Sequence, residues 1–104
     1  AHARALSLGA TDATQGGLGF PAIEGIGGSR LYLVDRYGAA GDAYADSFDY
    51  LPGHQEAMQA AASHLTYLDH LTHNVHRGRM VHWADFYERL FNFREIRYFD
   101  IEGK

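Results

Sequence analysis

The sequence predicts an α+β protein that contains parts of two β-α-β-β-β modules. Residues 1–53 show the end of a helix followed by three strand-like runs. Residues 67–104 show a strand, a helix and a further strand. Between them, residues 54–66 are rich in alanine and have helical propensity with little amphipathic pattern, as expected of a linker that is helical in part. This order of elements is explained by two consecutive β-α-β-β-β modules, the first without its initial elements and the second without its final ones.

The first module is predicted from local signals. Its helix covers residues 1–8, which are rich in Ala and Leu and are followed by a glycine suited to a helix end. Strands are predicted at Phe20–Ile26 and Arg30–Tyr37, with a turn at the two glycines between them. A short third strand is predicted at Ser47–Leu51, ended by a Pro-Gly pair. These strands would form an antiparallel sheet.

The second module is predicted from a change of hydrophobic period. Tyr67–Val75 is predicted as a strand, residues 79–90 as a helix and Glu95–Ile101 as a closing strand. The helix has an apolar stripe at helical spacing, made of Met80, Trp83, Ala84, Tyr87, Leu90 and Phe91. We expect this stripe to pack into the protein core. The non-enzymatic alternative is a metal-free module that buries this stripe in a homodimer.

The composition excludes several classes of protein. The chain has 104 residues, of which 46% are hydrophobic, enough for a packed core. Nine basic and 13 acidic residues give a net charge of -4, and no strongly basic segment suits a nucleic-acid surface. There is no cysteine, which excludes disulfides and thiolate zinc sites and is compatible with the cytoplasm. Apolar runs fall far short of the roughly 20 residues that span a membrane.

A histidine-rich segment offers candidate metal ligands. His70, His73 and His76 form an HxxHxxH pattern, which on a helix would bring two of them to one face. In the predicted strand, alternation instead places His70, Thr72 and Asn74 on one side and His73 on the other. A three-histidine zinc site is therefore not expected. The adjacent Asp69 is not automatically a partner of His70, since neighbouring residues of a strand face opposite sides. From spacing alone, His70 is more often a solvated histidine than a ligand.

Three blocks of sequence show a family resemblance. They are FPAIEGIGGSRLYLVDRYG (20–38), YLDHLTHNVHRGRM (67–80) and FYERLFNFREIRYFDIEGK (86–104). Together they closely resemble the bacterial 4-hydroxyphenylpyruvate dioxygenase family, which has the vicinal-oxygen-chelate fold. The resemblance implies an internal fragment: residues 1–53 would end the N-terminal domain, 54–66 would link, and 67–104 would begin the catalytic domain.

The resemblance also implies a chemistry. His70 matches the first ligand of a catalytic Fe(II), and Thr72 matches a position that lines the substrate pocket, with Asn74 added because it would share their face. The family's second His and its Glu ligand lie beyond the equivalent of Lys104. The full protein is expected to convert 4-hydroxyphenylpyruvate and O2 to homogentisate and CO2 in tyrosine catabolism, as a cytoplasmic homo-oligomer. With one ligand of the facial triad, the chain alone is expected to be inactive.

One enzymatic alternative stays open. The related 4-hydroxymandelate synthases share the fold, the substrate and the iron, but hydroxylate the benzylic carbon. The residues that distinguish the two enzymes lie outside this sequence, so the sequence favours the dioxygenase only through the strength of the match at 20–38 and 86–104.

Overall fold

The computed structural model describes residues 1–45, 47–60 and 67–99, and it confirms the α+β class. The elements are helix α1 (His2–Ser7), strands β1 (Ala22–Glu24) and β2 (Arg30–Tyr32), helix α2 (His54–Ala60) and helix α3 (Met80–Phe91). The chain divides into two compact units. One contains Ala1–Leu33 together with the segment that begins at Asn74, and the other is Val34–His73. Each unit is described separately.

The core of the first unit lies between α1, β1 and α3. Its buried members are Ala5, Ile23, Phe86 and Leu90, and half-buried apolar residues from the same unit surround them. Ile23 is 0% exposed and is the largest fully buried side chain in the described part of the chain. The guanidinium of Arg89 on α3 donates a hydrogen bond to the carbonyl of Leu8, directly after α1. Four of the six residues of the apolar stripe of α3 therefore lie in this core or pack against it, as expected.

Strands β1 and β2 form the predicted antiparallel hairpin, with Ile23 opposite Leu31. The connecting turn, Ile26–Gly28, places Gly27 at φ 64° and Gly28 at φ 80°, a region that glycine enters without strain. The other edge of β1 bonds to the preceding loop, where the backbone N–H of Glu24 donates to the carbonyl of Thr11 at 2.9 Å. Both edges of β1 thus have backbone hydrogen-bond partners, although β1 and β2 have only three residues each.

Helix α3 agrees with its predicted bounds to within one residue at each end. It ends where Asn92 adopts the left-handed conformation at φ 59°, a position that asparagine tolerates better than most residues. The predicted stripe needs one correction. Phe86 is buried, whereas Met80 is 47% exposed, because the buried face of the helix is centred one turn later than the pattern suggested.

In the second unit, a turn at Gly53 leads into α2, so the helical part of the predicted linker is confirmed as far as Ala60. Residues 61–66 lie outside the described residues. Before this helix, the phenol of Tyr50 donates a hydrogen bond to Asp42, and its ring stacks on His54 with centroids 4.3 Å apart. The bond to Tyr50 lowers the pKa of Asp42, and the same bond raises the pKa of Tyr50.

Three predicted strands are wrong over the residues that the structure describes. Ser47–Leu51, Tyr67–Val75 and residues 95–99 belong to no strand, and the second strand ends at Tyr32 instead of Tyr37. Residues 100 and 101 of the predicted closing strand are not among those described. The reason is the lack of a partner. These segments are largely exposed, Leu71 by 76%, and strand propensity takes effect only on a paired, half-buried surface.

The segment after α3 is apolar and open. Phe93, Ile96, Tyr98 and Phe99 all expose more than half of their side-chain surface, and Arg94, Glu95 and Arg97 alternate with them. The ring of Phe93 stacks on Tyr87 of α3, with centroids 5.7 Å apart. This contact holds the start of the segment against the helix.

Across the described ranges, no helix is both long enough and apolar enough to cross a membrane.

Candidate metal ligand and further sites

His70 lies in an irregular segment of the second unit, beside an acidic partner. Its Nδ1 is 2.5 Å from Oδ2 of Asp69, and the two side chains are 69% and 77% exposed. The expectation that Asp69 would point away from His70 is wrong. It assumed the alternation of a β-strand, and residues 67–75 do not form one.

The contact with Asp69 determines which nitrogen of the His70 ring carries the proton. An ionised carboxylate only accepts hydrogen bonds, so Nδ1 of a neutral His70 carries the proton and donates it to Asp69. The lone pair of Nε2 is then available to a metal. Metal-binding histidines commonly donate their other N–H to a carboxylate, which fixes the tautomer and raises the basicity of the ligand.

A complete iron site does not follow from this geometry. In the described part of the chain, no group of three or more His, Asp or Glu side chains could hold a metal ion. Iron(II) in a facial triad needs two histidines and a carboxylate. The chemistry of His70 therefore fits one ligand position, while the remaining positions of the triad have no counterpart among the described residues.

The other residues predicted for the site are exposed. Thr72 belongs to the second unit and Asn74 to the first, and their roles in the site stay predictions. Asn74 lines a pocket of the first unit, described below. His76 and His82 are exposed, as the sequence led us to expect.

A polar cluster in the first unit joins α1 to the loop before β1. Nε2 of His2 lies 3.2 Å from Oδ1 of Asp12 and 3.2 Å from the carbonyl oxygen of Ala22. The hydroxyl of Thr14 donates to the same Asp12 oxygen at 2.6 Å, and its backbone N–H donates at 3.0 Å. These bonds from Thr14 lower the pKa of Asp12, with a smaller contribution from His2. Sequence spacing gave no warning of this cluster, because His2 lies ten residues before Asp12.

The first unit also contains a pocket of about 420 Å³. It is lined by Ile26 and Gly27 of the hairpin turn, by Asn74, Val75, His76 and Arg79 of the segment before α3, and by Trp83 of α3. The indole of Trp83 packs edge-to-face against Phe86, with centroids 5.2 Å apart, and is held in place by the core. The sequence signalled Trp83 only as a core residue.

Comparison with known proteins gives a consistent family. No protein-family model matches the chain. The whole chain aligns with a protein from Pseudomonas sp. (strain P.J. 874) at 52% identity over 108 residues, which is 30% of that protein. It aligns with one from Pseudomonas aeruginosa at 52% identity over 104 residues, again the whole chain and 28% of the relative. A third, from Legionella pneumophila (strain Corby), is 43% identical over 93 residues, 89% of this chain and 25% of the relative.

These three relatives are dioxygenases, so the chain matches a segment of that class of enzyme. All three are named 4-hydroxyphenylpyruvate dioxygenase, and the resemblance found in the sequence is therefore confirmed. A protein named Hemolysin VllY, from Vibrio vulnificus, is also similar, at 54% identity over 84% of this chain and 24% of its own length. The chain spans about 30% or less of the length of these relatives.

Proposed function

We propose that this chain is part of a 4-hydroxyphenylpyruvate dioxygenase that converts 4-hydroxyphenylpyruvate and O2 to homogentisate and CO2. The observation that supports this most directly is the 52% identity, along the whole chain, to two Pseudomonas enzymes of that name. In this reaction the two atoms of O2 are divided between the carboxylate that replaces the 2-oxo acid group and the new ring hydroxyl.

In the proposed enzyme, His70 is the first ligand of Fe(II). Iron(II) bound there would supply the centre at which O2 and the 2-oxo acid group of the substrate meet. Asp69 holds the His70 ring through Nδ1 and leaves Nε2 for the metal. Thr72 and Asn74 are proposed to line the substrate pocket of the complete protein. The other ligands would be a histidine and a glutamate from further along the full chain.

The domain organisation is part of the same proposal. Residues 1–53 would end an N-terminal β-α-β-β-β domain of the vicinal-oxygen-chelate type, 54–66 would link, and 67–104 would begin the catalytic domain. We further propose a cytoplasmic homo-oligomer with no nucleic-acid or membrane partner. Acidic net charge and the lack of cysteine are compatible with this setting.

The decisive experiment replaces His70 in the full-length protein. His70→Ala should lose iron and abolish homogentisate formation, because one of three protein ligands is removed. His76→Ala is the matched control, since His76 is also an exposed histidine of this segment and is not a proposed ligand. Iron content and O2 consumption are measured for both variants. A His70→Ala protein that keeps its iron and its activity would refute the assignment.

Asp69→Asn tests the positioning of the ligand. An amide still accepts a hydrogen bond but lacks the negative charge that a carboxylate offers to a metal-bound imidazole, so iron affinity should fall by about tenfold or more. The fold should be unchanged, because Asp69 is highly exposed. Iron affinity equal to that of the unmodified enzyme would show that the contact with His70 has no influence on the metal.

The isolated 104-residue chain provides a further test. Calorimetric titration with iron(II) should show no tight one-to-one binding, because a single imidazole is a weak site. Tight stoichiometric binding through His70 would contradict the need for the missing ligands.

Two measurements separate the alternatives. Product analysis of the full-length enzyme distinguishes homogentisate from 4-hydroxymandelate. Sedimentation of the isolated chain tests the non-catalytic dimerising module, and a stable monomer would exclude it.

A further inference from the structure

A second pocket of the first unit lies between the loop before β1 and the β1–β2 hairpin. Its volume is about 380 Å³, within the roughly 300–1,000 Å³ of typical ligand pockets, and it shares no lining residue with the pocket beside Trp83. Its lining side chains are those of Asp12, Ala13, Gln15, Glu24, Ser29 and Arg30. Because one methyl group is the whole apolar contribution of this set, the pocket suits a small, polar guest.

Two opposite charges line this pocket without forming an ion pair. Glu24 and Arg30 are direct cross-strand partners in the antiparallel hairpin, a position in which opposite charges usually attract each other. In the described part of the chain, however, no ion pair joins them, and the Glu24 carboxylate has no hydrogen-bond donor. The Arg30 guanidinium instead donates to the carbonyls of Gly16 at 2.7 Å and Gln15 at 3.1 Å. These bonds hold the cation towards the loop and away from its acidic partner.

Both charged sides of the pocket keep hydrogen-bonding capacity for a guest. A guanidinium has five N–H groups, and the bonds of Arg30 to the loop use two of them. On the acidic side, Oδ1 of Asp12 accepts the bonds from Thr14, whereas its Oδ2 accepts none from the residues that the structure describes. The carboxylates of Asp12 and Glu24 can therefore share the three N–H groups of an ammonium ion, while Arg30 can donate to a carboxylate.

We propose that this pocket binds a small zwitterion, an α-amino acid with a short side chain. The ammonium group of the guest pairs with Glu24 and Asp12, and its carboxylate pairs with the guanidinium of Arg30. A zwitterion joins two charges that the hairpin leaves apart, whereas a simple cation or anion pairs with one side only. The proposal does not depend on iron, on His70 or on the proposed function.

Calorimetric titration of the full-length protein tests this with glycine, methylammonium and acetate. Glycine carries both charges, and each of the other two probes carries one of them. Glycine should bind with a dissociation constant on the order of 1 mM, and the singly charged probes should bind about threefold or more weakly, the effect expected from the loss of one exposed ion pair. Binding of either singly charged probe as tight as that of glycine would overturn the proposal, and so would the lack of a saturable heat with glycine.

Glu24→Gln should weaken glycine binding by about threefold or more, because the neutral amide lacks the charge that holds the ammonium group. Glu56→Gln is the matched control, since Glu56 is an exposed glutamate of α2 that does not line the pocket, and it should leave glycine binding unchanged. Equal effects of the two variants would overturn the proposal. Arg30→Gln should remove the advantage of glycine over methylammonium. If that variant does not fold because its bonds to the loop are lost, Glu24→Gln still decides, since Glu24 is exposed.

Discussion

Replacing Ile23 with alanine should remove a large part of the stability of this chain. The side chain is fully buried among Ala5, Phe86 and Leu90. The substitution deletes three buried carbon atoms, worth about 0.8 kcal/mol each or roughly 2.4 kcal/mol in transfer free energy. The void adds a cavity term, because the neighbouring Ala5 is too small to fill it. A loss of about 3–4 kcal/mol in the free energy of unfolding is therefore expected.

That loss is large compared with the total stability. Domains of about this size unfold with roughly 5–15 kcal/mol, and a core with so few buried side chains is expected near the lower end. Urea unfolding of the 104-residue chain, followed by circular dichroism and by Trp83 fluorescence, measures the effect. With a slope of about 1.5 kcal/mol per molar urea, the midpoint should fall by about 2 M.

Ile96→Ala is the matched control for this prediction. It removes the same atoms from a side chain that is 81% exposed, so the free energy of unfolding should change by less than about 0.5 kcal/mol. Equal losses for the two variants would refute the reasoning, because burial would then not explain the cost. A loss below about 1 kcal/mol for Ile23→Ala would refute the placement of the core.

Three further predictions follow from the polar contacts. Arg89→Met should cost about 1 kcal/mol in unfolding free energy, because it removes the hydrogen bond to the carbonyl of Leu8. Asp85→Asn removes only the exposed ion pair with Arg89 at 3.4 Å and should cost less than about 0.5 kcal/mol. Thr14→Val should raise the pKa of Asp12 towards its ordinary value of 3.8, as measured by NMR titration. The pKa is depressed in the folded chain, so Asp12 contributes stability above that ordinary value and loses it as pH falls through the folded pKa, and the variant should lose less stability over this range. Burial raises the pKa of the Tyr87 phenol above its ordinary value of about 10. The stability that the neutral phenol contributes is complete below about pH 10 and is lost as pH rises through the folded pKa. Tyr87→Phe should remove the corresponding high-pH ionisation from an absorbance titration.

Helix α3 shows what a local pattern can predict. Its bounds were predicted to within one residue because the apolar period lies within the helix sequence itself. Phe86 was missed, although it lies three residues after Trp83 and four before Leu90, positions that share one face. Because the predicted stripe was counted from Met80, it did not coincide with the face of the helix that is buried. Periodicity therefore predicted the element, whereas the centre of its buried face depends on the tertiary contacts.

The strands show where local patterns fail. The hairpin was predictable because its two strands are neighbours joined by a glycine turn. Residues 67–75 have the composition of a strand, yet no partner strand pairs with them in the described structure. Pairing depends on residues distant in sequence, which composition does not reveal. The same failure explains the wrong orientation assigned to Asp69, since without a strand, adjacent side chains are free to meet.

The open segment after α3 has a consequence for the handling of the protein. Phe93, Ile96, Tyr98 and Phe99 form a short, aromatic and β-branched run that resembles the sequences from which cross-β aggregates grow. The charged residues at 94, 95 and 97 interrupt this run and act as gatekeepers against self-association. Their protection is electrostatic and weakens as added salt screens the charges. Concentrated, high-salt solutions are therefore the conditions in which the chain is most prone to aggregate.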